Sequence, residues 1–512
     1  MVRLLLCILT IITLQPLRAQ GNVDFNEYVR RQNNRFNNYV KQQNDKFNAF
    51  LDSLNRDYAK HLAGEWKSVR HSGRVKYEKD KEVKPIIREE KEDENKKDRI
   101  IQGDIISVVR NQKAQPTPIV PIEENRLAED YHAFTYYGTS MNVRWGNAKF
   151  LKFSTVSNKE VAKAYEMFSK EEYKNLLSDC LKLRDNYRLC DWAYYKMLET
   201  LSVAIYGKGT NEATFLLGAL FGKSGYKMRF AIDKTNKKLH LLCAMNCGAY
   251  DYSYYIIGGE SFYLLDKSKP NSLDYCPKAY AGERELSLDI NRLPVLKKNL
   301  SEERTIRSRS SSLQTKTRMN KNLIEFFKDY PTGYKNNNFM TRWAYYAETP
   351  VSEEIKNVLY PQLRQKIQNL PPLAAANMLL NWMQPLPDDE ANRPENKDVG
   401  LHYGYDDAIW GADRAFFAEE SLFYPLSDCE DHAILFSHLI RDLMGLDVAL
   451  VYYPGHLSTA ICFNTEVKGD AVMVGNRKFI VADPTSRGKV GTTMFQYRDT
   501  NPKDIKVILL KK

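Results

Sequence analysis

Apolar positions recur every eleven residues near the start of the chain, in the units FNEYVRRQNNR, FNNYVKQQNDK, FNAFLDSLNRD and YAKHLAGEWKS. Phe25, Phe36, Phe47 and Tyr58 share one position. Tyr28, Tyr39, Phe50 and His61 share a second, and Val29, Val40, Leu51 and Leu62 a third. Eleven residues over three turns is ~3.67 per turn, close to the natural helix, so the stripe stays on one face. The pattern predicts an amphipathic helix over residues 22–68 with an aromatic face that needs a partner. Self-association, another protein and the protein's own body all fit. The helix is too polar elsewhere to span a membrane, and contact with protein is favoured over lying on a membrane surface.

The pattern then breaks. Residues 69–127 carry dense mixed charge followed by QPTPIVPIEEN, which reads as a charged linker, disordered in parts. Helical and strand patterns alternate over 128–298 and again over 321–512, separated by a Ser- and Arg-rich second linker at 299–320. Each segment is long enough to build its own core. The expectation is an α+β chain with two tandem domains.

The two segments share a pattern. GTNEATFLLGALFGKSGYKMRFAI, from Gly209, lies over CEDHAILFSHLIRDLMGLDVALVY, from Cys429, without a gap, and Gly225 falls on Gly445. The second stretch predicts a helix: Ala433, Phe436, Ile440 and Leu443 keep near-helical spacing and Gly445 is a C-terminal stop. Beyond it, VYYPGHLSTAICF and RKFIVADPT are strands that place His456 after a Pro454-Gly455 turn and Asp483 at a strand end. In the first segment LHLLCAM puts His240, and GGESFYLLDKS puts Asp266, in the matching places. Upstream, Asn142–Trp145 is set against Met340–Trp343, and Val156-Ser157 against Val351-Ser352.

Cys429, His456 and Asp483 form the set that nucleophilic acyl transfer requires. A thiol attacks, an imidazole takes and returns the proton, and a carboxylate fixes the imidazole tautomer. A helix N-terminus favours the thiolate through its partial positive charge. Asp428, Glu430 and Asp431 oppose it if they point inward, unless Ser427 or Asp428 serves as a helix cap. The thiol is therefore expected within hydrogen-bond reach of the imidazole, with Asp483 on its far side.

These motifs resemble the transglutaminase-like superfamily, a branch of the papain-like cysteine enzymes, over about Phe423 to Thr485. The resemblance implies two tandem papain-like domains, with Cys429, His456 and Asp483 as the catalytic triad of the second. Leu457 and Ser458 depart from the Ala-Trp that follows the His in many relatives. The first domain carries Gly209 where the nucleophile belongs, so Gly209, His240 and Asp266 form a degenerate site. Thr210 is adjacent but points about 100° away along a helix. Such a domain serves packing, or binds a peptide or glycan in the old cleft. A long insertion before Cys429 holds Trp410, Phe416 and Phe417. With Tyr424 these are candidates for a substrate wall or lid, core packing being the alternative.

Composition removes several classes. The net charge of +11 is spread among mixed acids and bases. With no basic stripe, zinc-finger spacing or phosphate-cradling glycine loop, nucleic acid is not expected as a partner. Cys243 and Cys247 lack a second ligand pair, so neither metal nor cofactor is expected. The opening MVRLLLCILTIITLQPLRAQG reads as a signal peptide over residues 1–19. That makes the protein exported, whether periplasmic, cell-surface or extracellular. No later run is long and apolar enough to cross a membrane. Without the signal, Cys180, Cys190, Cys243, Cys247, Cys276, Cys429 and Cys462 remain, an odd number that leaves at least one thiol unpaired. The sequence thus predicts an exported cysteine-dependent enzyme acting on a protein or peptide amide, with hydrolysis favoured over transamidation. The alternative is a non-catalytic secreted binding or assembly protein.

Overall fold

The structure, a computed structural model, describes residues 25–75, 83–89, 98–108, 114–123, 131–145, 151–170, 173–310, 312–405 and 414–510. The expected signal peptide and Trp410 lie outside them. The fold is mixed α+β, with two seven-stranded half-barrel sheets compatible with two domains. No helix among the described residues is long and apolar enough to cross a membrane.

The eleven-residue repeat forms one helix, Phe25–Ala63. Its course divides between two compact units, Met1–Leu54 and Asn55–Lys512. In the first unit Tyr28, Phe36, Tyr39 and Phe50 are exposed. In the second, the last helical turns are buried. Tyr58 packs edge-on against Tyr165 and Tyr280, and Asn55 donates to the Tyr173 hydroxyl at 3.1 Å. Lys223 is buried there too, its ammonium 4.3 Å from the Tyr173 ring centroid.

The two sheets repeat one order of inner strands. Edge to edge, the first runs Lys67–Arg70, Ser272–Tyr275, Met228–Asp233, Lys238–Ala244, Glu260–Leu264, Ser253–Ile257 and Gly73–Arg74. The second runs Asp104–Ser107, Lys506–Leu509, Asp447–Tyr453, His456–Cys462, Arg477–Ala482, Asp470–Val474 and Arg99–Ile101. The five inner strands of each are antiparallel and occur in the same chain order. The edge strands differ, being antiparallel in the first sheet and parallel in the second.

These edges correct the linker expected at 69–127. Residues 67–74 pair with both margins of the first sheet, and residues 99–107 with both margins of the second. Each short segment draws two edges of one sheet together, covering backbone groups that an open edge would expose. The linker expected at 299–320 is also corrected, since Arg304–Arg307 and Gln314–Thr317 form a β-hairpin. Its counterpart is the hairpin Tyr131–Tyr136 with Thr139–Arg144. The match of Asn142–Trp145 to Met340–Trp343 therefore fails, because the former ends a strand and the latter starts the helix Arg342–Ala347. Val156-Ser157 and Val351-Ser352 do take equivalent roles. The hydroxyls of Ser157 and Ser352 accept from the N–H groups of Glu160 and Ile355, at 3.2 and 3.5 Å, at two helix starts.

Residues 321–347 follow the second hairpin and have no counterpart after the first. Phe326, Phe327, Tyr330, Trp343, Tyr345 and Tyr346 pack into the core of the first half. The same core takes in Phe417, Cys429, Ala433 and Leu457 of the second half. A buried ion pair, Lys335 with Asp289 at 2.9 Å, ties this stretch to the first half. The largest core cluster thus draws side chains from both halves, while the second half builds further clusters of its own.

Candidate functional site

Cys429 is the first residue of the helix Cys429–Met444. Asp428 precedes it as the N-cap, and its N–H donates to Asp431 Oδ2 at 3.1 Å. Asp431 Oδ1 accepts from the Phe416 N–H at 2.6 Å, so this acid fastens the preceding loop to the helix start. Gly445 ends the helix at φ +67, a left-handed stop that glycine adopts without a Cβ clash. The next two strands form a hairpin in which Tyr453 faces His456 across Pro454 and Gly455. This turn delivers His456 to the helix N-terminus, where the Leu457 N–H donates to Cys429 Sγ at 3.5 Å.

The imidazole–carboxylate pair is well formed. His456 Nε2 lies 2.8 Å from Asp483 Oδ2. Asp483 Oδ1 accepts from the N–H groups of Thr485 and Ser486 at 3.0 and 3.2 Å, which fixes the carboxylate. Tyr497 stacks on the imidazole with centroids 4.8 Å apart and an interplanar angle of 3°. The other ring nitrogen, Nδ1, is buried and has no hydrogen-bond partner.

The thiol is placed differently from expectation. Cys429 Sγ donates to Glu430 Oε2 at 3.2 Å rather than to His456. Cys429 is 7 % exposed and His456 1 %. Burial, then the carboxylates of Glu430 and Asp428, raise the thiol well above its ordinary range. The arrangement is thus an assembled His–Asp pair beside an enclosed thiol bonded to Glu430. Asp428, Cys429 and Glu430 also form the one group of three potential metal ligands found among the described residues, with ligand atoms within 4.8 Å of one another.

The candidate wall residues fall into two kinds. Phe416 and Phe417 are buried, and Phe417 stacks on Phe327 at 4.2 Å and packs on Tyr346 at 4.6 Å. They are core residues rather than a lid. Tyr424 is partly buried and packs on Phe416 at 5.1 Å.

Three neighbours were not apparent from the motifs. His432, one turn beyond Cys429, is fully buried, and burial pushes it down to about 3 despite the nearby Asp483 charge. Its spacing from Cys429 on one helix face was the available signal. Tyr403 comes in on a two-residue strand, His402–Tyr403, paired with Leu426–Ser427 just before the cysteine. Burial and the neighbouring Cys429 and Asp428 push the Tyr403 phenol far above its usual range. Tyr497 lies beyond the last motif and had no sequence signal.

The first half carries the matching locus in altered form. Its helix, Asn211–Lys223, ends before Gly225 but starts two residues later than the Cys429 helix does by the gapless match. Thr210 is the N-cap, accepting from the Ala213 N–H at 3.2 Å and donating to the Gly207 carbonyl at 3.0 Å. Gly209 stands outside the helix at φ +78, where a side chain is strained. His240 and Asp266 remain paired at 2.9 Å, through Nδ1 rather than Nε2. Burial raises Asp266, but hydrogen bonds from His240 and Ser268 outweigh it and hold the carboxyl down at about 2. No disulfide joins the seven described cysteines. Comparison with family models, curated proteins and solved structures yields no match for this chain.

Proposed function

We propose that the protein is an exported cysteine-dependent acyl-transfer enzyme of the transglutaminase-like type, held in a resting state. The observation that carries this reading is the 2.8 Å His456–Asp483 pair, with Nδ1 left unpartnered, set beside a cysteine that opens a helix. In the working state Cys429 leaves Glu430 and passes its proton to His456 Nδ1. The thiolate then attacks the carbonyl carbon of a protein or peptide amide. The first N–H groups of the helix, which have no intrahelical acceptors, serve the developing oxyanion. His456 returns the proton to the leaving amine, and Asp483 keeps the imidazole oriented. Water then releases the acyl group as an acid, or an amine takes it.

The buried thiol and its bond to Glu430 favour a second reading, a non-catalytic binding or assembly protein built on the same scaffold. In either reading the exposed aromatic stripe of the long helix provides a contact face for a second copy or a partner protein. The test is iodoacetamide alkylation of the reduced protein across pH 5 to 9, read by mass spectrometry beside His456→Ala. Labelling of Cys429 well below pH 8 that the substitution abolishes supports the enzyme. An ordinary thiol profile that is the same in both proteins supports the second reading.

A further inference from the structure

We propose that the first half binds a carboxylate-bearing peptide segment in the cleft at Gly209. The cleft has a volume of about 500 Å³, within the usual range for ligand sites. It opens where the first half has lost its nucleophile. No atom stands within 4 Å of where a Gly209 Cβ would lie. The Asp266 side chain is 38 % exposed, against 3 % for Asp483 at the matching place. The empty nucleophile position has thus become an accessible surface.

The charges in this cleft do not cancel. Lys196 pairs with Glu199, and Asp266 is satisfied by His240 and Ser268. Lys208 and Lys238 also line the cleft, and among the described residues neither has a carboxylate partner. Three ammonium groups, Lys196, Lys208 and Lys238, face the two carboxylates of Glu199 and Asp266, and the excess positive charge beside an open backbone calls for an anion. The rest of the lining is apolar and supplied by Val203, Leu217 and Leu241, with hydroxyls at Thr200 and Thr214. A bare inorganic anion would leave that apolar wall unused. A glycan would want an exposed aromatic face, and the one ring here, Tyr195, is 3 % exposed. An extended peptide with an acidic side chain beside an apolar one meets both parts. This inference stands apart from the acyl-transfer reading, since none of these residues belongs to the Cys429 site.

The test uses the chain without its first nineteen residues, carrying Cys429→Ala so that no probe is consumed. Fluorescence anisotropy would follow a fluorescein-labelled Ala-Leu-Glu-Leu-Glu amide and its Ala-Leu-Gln-Leu-Gln twin. The acidic peptide is expected to bind about tenfold or more tighter than the neutral one. Lys208→Gln with Lys238→Gln is expected to erase that difference while leaving the thermal melt close to the parent's, because Lys208 is exposed, Lys238 is half-buried at a strand start, and the neutral side chain puts no like charge opposite Asp233. Equal binding of the two peptides, no binding at millimolar concentration, or an unaltered preference in the double variant overturns the proposal. Displacement by an equal concentration of inorganic phosphate overturns the peptide assignment as well.

Discussion

The two halves hold the same inner strands, the same helix and the same His–Asp pair, yet their sites are opposites. The second has a cysteine at the helix start and encloses it, with Cys429 7 % exposed and bonded to Glu430. The first has glycine in that place and an open cleft of about 500 Å³. The difference begins in two residues of helix. In the second half the helix reaches Cys429, and Asp428 caps it. In the first the cap is Thr210, and Gly209 falls into a turn. A shared scaffold therefore does not fix a shared site. Whether a thiol sits on the helix dipole, and whether solvent reaches it, depends on the last turn and on what packs over it.

The largest expected contrast is between the paired carboxylates. Asp483→Asn should lower any Cys429-dependent release of new amino termini from a peptide library by about 10²- to 10⁴-fold, through loss of the required tautomer. Asp266→Asn, the same change in the first half, should leave it untouched. Equal losses from both would show that the halves act as one site and would break the comparison.

The next effect is on stability. The second helix buries His432 and His438, and burial pushes each down to about 3. The first helix has Glu212 and Gly218 at the matching places. The folded protein binds these two protons far less readily than the unfolded chain, so the histidines' contribution is full above about pH 6.5 and is lost as pH falls toward 3. Glu419 opposes this, because burial lifts it to about 7 and its penalty disappears on protonation. A His438→Gln variant isolates the histidine part. Its unfolding free energy, from urea titration, should fall less than that of the parent between pH 7 and 4, by a difference on the order of 1–3 kcal/mol. Parallel declines would mean that His438 is not held neutral.

The smallest effect sharpens the description of the resting site. Replacing Glu430 with Gln removes one of the two carboxylates that raise the thiol. Alkylation of Cys429 at pH 7 should then speed up by about tenfold, as one unit of thiol pKa would give. An unchanged rate would assign the protection to burial and Asp428.

Much of the second site was legible along the chain. Helical spacing and Gly445 marked the helix, a Pro-Gly turn set the hairpin, and a strand end set Asp483, because each signal is local. Glu430 was legible as an opposing acid, yet its bond to the thiol depends on which rotamer the packed surroundings leave open. Phe416 and Phe417 read equally well as lid or core until Phe327 and Tyr346 were found packed on Phe417. The edge strands in 67–74 and 99–107 were hidden because they are short, flank a charge-dense stretch and are held by backbone pairing. The hairpin at 304–317 alternates Ile306, Thr315 and Thr317 inward, but a run of serines between its strands masked the alternation.

The sequence by itself determined the repeat, the glycine that falls on Cys429 in the first half and the residues available for chemistry, since these are matters of identity and spacing. The tertiary structure decided that the largest core cluster spans both halves, that short segments pair with the margins of both sheets, and that one site is open while the other is closed. Those outcomes rest on contacts between residues hundreds of positions apart, and no local pattern encodes which surfaces will meet.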